Sequence, residues 1–218
     1  MVRFVAALSV LFLVALSAFV AAGDAKKEPA PKDTDWKALF DGKSLKNWKA
    51  TNFGGEGEIV VENGGIVIDR GSEMSGITYT GADFPKTHFE VAFEAKRTQG
   101  LDFFCTTTFP VGDDHCSLVV GGWAGSVVGL SSIDGKDASR NETKKEMSFD
   151  NNKWYRVRIR VTPDRIAAWI DDAPVVNFPT KGRKISIRPE CDLSRPFGIC
   201  TWSSSSVVRD IKLRTIRE

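Results

Sequence analysis

The chain has 218 residues, 42% hydrophobic and 27% charged, a globular composition long enough for one all-β domain or two small ones. Thirty basic side chains oppose twenty-eight acidic ones, and a net charge of +2 gives no reason to expect nucleic acid or an anionic membrane as partner. The sequence contains no G-x-S-x-G, Walker loop, H-E-x-x-H or Rossmann fingerprint, so serine-hydrolase, nucleotide and zinc-protease chemistry has no support.

At the N-terminus, Arg3 precedes an apolar run from Phe4 to Val20 that only Ser9 and Ser17 interrupt. Small residues follow at Ala21 and Ala22. The pattern predicts a signal peptide over 1–22, cut after Ala22 or one residue on, and a periplasmic or extracellular protein with no membrane span left. The competing reading is an uncleaved anchor, since 17 apolar residues approach the length needed to span a bilayer. Residues 23–35 include "DAKKEPAPKDTD", whose charges and two prolines cannot bury an apolar face. They read as a disordered linker before a folded domain over 36–218.

In "LFDGKSLKNW", Phe40 and Trp48 read as anchors on either side of an Asp41-Gly42 turn. "IVVENGGIVID" is a hairpin turning at Asn63-Gly64. "HFEVAFEAK" alternates, with Phe89, Val91, Phe93 and Ala95 on one face. "LDFFCTTTF" and "CSLVVGGW" read as two strands separated by residues 110–115. "KWYRVRIRV" places Tyr155, Val157, Ile159 and Val161 on one face and Trp154, Arg156, Arg158 and Arg160 on the other. "RIAAWID" and "VVNF" follow as the rest of a meander, and "SVVRDIKLRTI" groups Val207, Ile211 and Leu213. Many short strands with Gly and Pro turns predict an all-β, two-sheet sandwich. The arginine stripe reads as a solvated outer strand face, because neither aromatic interleaving nor a wider basic excess supports an acidic partner.

Cys105, Cys116, Cys191 and Cys200 are disulfide candidates in an exported chain. Their spacing favours two local loops, 105–116 and 191–200, over the other two pairings, while buried free thiols are an equal reading. No C-x-x-C occurs and His is scarce, so no metal ligand set is assigned.

Several of these stretches, in order, resemble a bacterial family once known as a domain of unknown function. It is now described as 3-keto-disaccharide hydrolase, or 3-keto-glucoside 1,2-lyase and 3-keto-2-hydroxy-glucal hydratase. "LFDGKSLKNW" is similar to its opening motif and "IVVENGGIVI" to its W-x-V-x-D/N-G-x-L hairpin, with Ile59 at the usual Trp. "THFEVAFEAK" resembles its D-F-E-L-x-F-E-x-R strand. "NKWYRVRIRVTPDRIAAWIDDAPVVNF" and "VVRDIKLRTI" resemble its closing strands. The resemblance covers about residues 36–217. It implies a concanavalin-like jelly roll, a carbohydrate partner and cleavage of keto-glycosides. The family's Glu and Gln in a Y-E-x-Q-I strand are replaced by Ser117 and Val119 in "CSLVVGG", and its G-N-S-G-I-F segment by "QGLDFFCTT".

A 3-keto group acidifies the C2 proton of a sugar. A base removes it, the C1 aglycone leaves by elimination, and water adds to the resulting enol. The protein must supply a base, a donor or cation for the enolate, and an acid for the leaving oxygen. The long polar stretch "SSIDGKDASRNET" offers Asp134, Asp137 and Glu142 as catalytic candidates, with Arg140 and Asn141 for substrate. Trp123 in "VVGGWAG" and Trp202 in "CTWSSSS" are candidates to stack on a sugar ring, with a core role as the alternative. The cofactor is unknown, a divalent metal being one option. Asn141-Glu142-Thr143 is also a glycosylation sequon. Three functions stay open: a keto-glycoside hydrolase or lyase, a non-catalytic lectin-like module, and a cell-envelope structural protein.

Overall fold

The computed structural model describes residues 35–216, so the predicted signal segment 1–22 and nearly all of the linker lie outside the described residues. Two antiparallel sheets face each other. Sheet A contains β13 (Ala173–Pro179), β12 (Arg165–Ile170), β11 (Tyr155–Thr162), β6 (Phe89–Gln99), β15 (Ser205–Thr215), β4 (Gly65–Ile68) and β3 (Ile59–Glu62) in that spatial order, and β1 (Lys37–Ala38) adds to β15. Sheet B runs β10 (Lys145–Glu146), β9 (Val127–Ser131), β8 (Asp114–Gly121), β7 (Thr106–Val111), β14 (Gly198–Trp202), β5 (Met74–Tyr79) and β2 (Trp48–Ala50). This is the two-sheet sandwich that the alternating strands predict, and the jelly roll that the family resemblance implies.

Period-two alternation decides which side chains fill the space between the sheets. Phe89, Val91, Phe93 and Ala95 of β6 and Val157, Ile159 and Val161 of β11 point inward and are buried. Leu118 and Val120 of β8, Leu130 of β9 and Ile199 of β14 meet them from sheet B. Each such side chain contributes roughly 1.5–3 kcal/mol by leaving water.

The segment 39–48 closes onto the sandwich. Leu39, Phe40 and Trp48 are buried, and the Trp48 indole N–H donates to the Leu39 carbonyl at 3.0 Å. Its ring meets Tyr79 edge-on at 5.4 Å between centroids. Asp41 Oδ1 accepts the backbone N–H groups of Lys43 and Ser44, both at 2.8 Å, so the Asp-Gly turn is built as its composition suggests.

Two strands differ from the sequence reading. β7 starts only at Thr106, because residues 101–105 form a loop tied down by side chains rather than by a ladder. In β15 the inward residues are Val208 and Ile211, not Val207: a bulge at Asp210, whose φ is 55°, shifts the alternation. Trp169 of β12 lies on the outer face of sheet A, under Arg158.

Candidate functional site

The outward face of sheet B is the floor of a cleft of ≈ 210 Å³. The floor takes Met74 from β5, Thr106 from β7, Ser117 and Val119 from β8, and Ser131 from β9. These are the residues that alternate with the inward Cys116, Leu118 and Leu130. Thr106 Oγ1 and Ser131 Oγ are buried there without a protein partner, an unmet hydrogen-bonding capacity in an otherwise apolar floor.

One wall is Trp123, 41% exposed. It sits in a turn where Trp123 and Ala124 both hold left-handed conformations, with φ of 50° and 65°. A bulky residue at positive φ is strained and persists only when neighbours hold it. Here Asp102 does so. Its Oδ2 accepts the Ala124 backbone N–H at 2.9 Å and its Oδ1 accepts the Phe103 N–H at 2.7 Å. A Cβ at Gly125 would lie 2.4 Å from the Leu101 carbonyl oxygen, so only glycine permits that close approach. Arg97, buried on β6, fixes the same loop from below, donating to the carbonyls of Leu101, Asp102 and Phe149 at 2.9, 3.2 and 2.7 Å. Asp102 therefore positions Trp123, and both of its oxygens are occupied.

Trp202 and Phe103 also line the cleft, their rings 6.2 Å apart. A 3₁₀ turn over Pro189–Ser194 closes the rim. Just before it, Arg188 places its guanidinium 5.9 Å from the Trp123 ring and donates to Glu190 through Nε at 2.7 Å. Burial raises the Glu190 carboxyl, but the Arg188 hydrogen bond, Glu190's own backbone N–H and the Arg188 charge together outweigh it and hold Glu190 below the usual range. Cys191 follows and lines the cleft. Its side chain meets Cys200 of β14 and the Ser117 hydroxyl. The hydrogen bond from Cys200 favours the Cys191 thiolate, while Cys200 itself is pushed well up by that contact and by burial.

All four cysteines are buried thiols. The register puts Phe109 opposite Cys116, so Cys105 lies four residues further along, roughly 13 Å away. That separation exceeds disulfide geometry and corrects the expected 105–116 loop. Burial raises both thiols, that of Cys116 to about 12, so neither is reactive near neutrality.

The acidic loop is elsewhere. Asp134 accepts from Arg183 Nε at 2.7 Å and from the Lys184 backbone N–H at 2.8 Å, and Glu142 accepts from the same guanidinium at 2.5 Å. The Lys184 N–H, then Arg183, lowers the Asp134 pKa; Glu142's own backbone N–H, then Arg183, lowers that of Glu142. Neither carries a proton at neutral pH, and neither lines the cleft. Asn141 is buried and structural, its Nδ2 donating to the carbonyls of Leu130, Lys136 and Asp137. The folded loop thus offers no glycosylation acceptor. Arg140 stands 3.9 Å from Asp137 on the surface. Asp137 alone approaches the cleft, 3.8 Å from Arg188 and bonded to Ser139 through its other oxygen. The structure therefore brings together Trp123 and Trp202 and leaves Asp134, Glu142, Arg140 and Asn141 outside.

The residue description that decides the family is a match of the 3-keto-alpha-glucoside-1,2-lyase-like domain over residues 35–214. The chain belongs to that family. Among curated proteins no relative matches the sequence. Among solved structures, the Crh5 transglycosylase in complex with NAG superposes with a TM-score of 0.59 at 12% identity, covering 84% of this chain and 85% of that one. The carbohydrate-binding module CBM66 from Bacillus subtilis gives 0.53 at 14% identity over 78% and 96%. A galectin-like protein from Bacillus subtilis gives 0.54 at 11% identity over 79% and 92%. At these identities the likeness is one of fold.

In this lyase-like domain the two β8 positions where the resemblance places Glu and Gln are Ser117 and Val119, and both face the cleft. The polar groups around it come from loops instead: Asp102, Arg188 and Glu190. Glycines flanking Trp123 were a readable signal. Asp102, Arg188 and Glu190 were not, because "QGLDFF" and "IRPEC" carry no motif and converge only through the fold. Among the described residues, no group of three His, Cys, Asp or Glu gathers as a metal site.

Proposed function

We propose that the cleft binds a glycoside and that its substrates are keto-glucosides. The observation that carries this reading is the pair of indoles, Trp123 and Trp202, lining one cleft above a floor with unpaired hydroxyls. Indole faces suit the apolar faces of a sugar ring, and Thr106 and Ser131 suit its hydroxyls. Trp123 is strained and held, as a ligand-contacting residue commonly is.

Elimination is supported by one further pair. Glu190 is a carboxylate lining the cleft from the rim, beside the Arg188 guanidinium. Glu190 would take the C2 proton and Arg188 would stabilise the enolate; the enolate's electron pair then forms the C1–C2 double bond as the C1–O bond breaks, and the proton held by Glu190 passes to the leaving oxygen. The family membership favours this over the lectin-like reading; Ser117 and Val119 in β8 favour the lectin. Incubation of the purified chain with a 3-keto-glucoside bearing a chromogenic aglycone separates them. Release that drops about 10²- to 10⁴-fold in Glu190→Gln supports elimination. Saturable binding without release supports the lectin, and neither would overturn the cleft as a sugar site.

The protein is exported in this account, and the adjacent thiols of Cys191 and Cys200 join once oxidised. Chain recovered from an exporting host should begin at Gly23 or Asp24 by N-terminal sequencing and yield a 191–200 linked peptide under non-reducing digestion. A Met1 start with four alkylatable thiols would contradict both.

A further inference from the structure

The outer face of sheet A, away from the cleft, carries three indoles, each beneath two cations. Arg158 lies 3.9 Å from the Trp169 ring and Arg160 5.7 Å from it. Arg209 lies 3.9 Å from Trp154, with Lys96 at 5.0 Å. Arg214 lies 4.7 Å from Trp36, with Lys212 at 5.6 Å. The aromatic interleaving that the strand sequence "YRVRIRV" lacks is thus supplied by other segments through the fold.

The carboxylates on this layer do not balance it. Glu90 accepts from Arg158, Arg160 and Arg214, Glu94 from Arg209, and Asp210 stands 3.5 Å from Lys212. Five of these six cations share the three carboxylates, and the neighbouring Arg156 has Asp172 at 2.7 Å. The register sets Arg160, Glu90 and Arg214 in one row across the sheet and Arg156, Glu94 and Arg209 in a second, roughly 13 Å along the strands. Arg158 and Arg209 remain reachable, with side chains 27% and 42% exposed.

We propose that this face binds an acidic polysaccharide. A guanidinium stacked on an indole leaves its in-plane N–H groups uncovered, and those of Arg158 and Arg209 that Glu90 and Glu94 do not take can meet carboxylate or sulfate oxygens. The same stacking argues against other polyanions. Single-stranded nucleic acid needs open indole faces for its bases, and here guanidinium groups cover them. Duplex DNA needs a helix or ribbon to enter a groove, and this face is a sheet surface. A bilayer needs apolar side chains to insert, and the large side chains at this layer are charged or capped by charge.

The test is binding of the purified chain to polygalacturonate and to dextran sulfate, with neutral dextran, a DNA duplex and phosphatidylglycerol vesicles in parallel. Expected is binding to one or both acidic polysaccharides that weakens as salt rises and falls at least about tenfold in the double variant Arg158→Gln/Arg209→Gln. Trp123→Ala, which alters the cleft, should leave it unchanged, so failure here and failure of the cleft reading are separate results. If the Gln pair does not fold, Arg158→Lys/Arg209→Lys keeps the charge and removes the paired donors, and it should also weaken binding. Equal binding to neutral dextran, no binding to either acidic polysaccharide, tighter binding to DNA or vesicles, or indifference to both folded variants would overturn the proposal.

Discussion

Glu90→Ala should lower the unfolding free energy by about 3–5 kcal/mol, read as a reduced midpoint in chemical denaturation. Glu90 is fully buried on β6, between β11 and β15, and holds Arg158, Arg160 and Arg214. Truncation leaves three guanidinium groups facing one another, one of them, Arg214, only 4% exposed in its side chain. Breaking a buried ion cluster from one side costs much more than the cluster contributes, because the remaining charges lose their partner. Glu90→Gln keeps volume and one acceptor and should cost less. A melt unchanged in Glu90→Ala would mean that the arginines find water instead.

Asn141→Ala should cost about 2–4 kcal/mol, judged from several buried partners left unsatisfied at once. The two N–H donors of its Nδ2 are shared among three carbonyls, and its Oδ1 accepts from the Thr143 N–H and hydroxyl at 2.9 and 2.6 Å. Thr143 in turn accepts the Leu130 N–H at 2.8 Å, so the loop 132–143 is fastened to β9 through one amide. Hydrogen exchange at Leu130 should accelerate in the variant. Thr143→Ser, which keeps the hydroxyl, should be mild by comparison.

The strands were legible because their alternation is strict. Phe89 to Ala95 and Tyr155 to Val161 announce their inner face residue by residue, and Asn63-Gly64 announces its hairpin. Trp123 was legible for a different reason: glycines on both sides of a tryptophan mark backbone that a Cβ would obstruct. The rest of the cleft was not legible. A run rich in Asp, Glu and Arg looks chemical, but Asp134 and Glu142 are spent on Arg183, a partner more than forty residues ahead of either. Asp102, Arg188 and Glu190 sit in unremarkable segments and become neighbours of Trp123 only when sheet B brings their loops to one face. The indoles that stack with the arginine stripe were not legible either, since Trp36 and Trp169 join it from other parts of the chain.

The most direct test of the cleft is isothermal titration of a 3-keto-glucoside into the wild-type chain, Trp123→Ala, Trp202→Ala and Asp134→Asn/Glu142→Gln. The cleft account predicts at least about tenfold weaker binding for each tryptophan variant and wild-type binding for the acidic-loop variant. Binding lost in the acidic-loop variant and retained without the two indoles would contradict it.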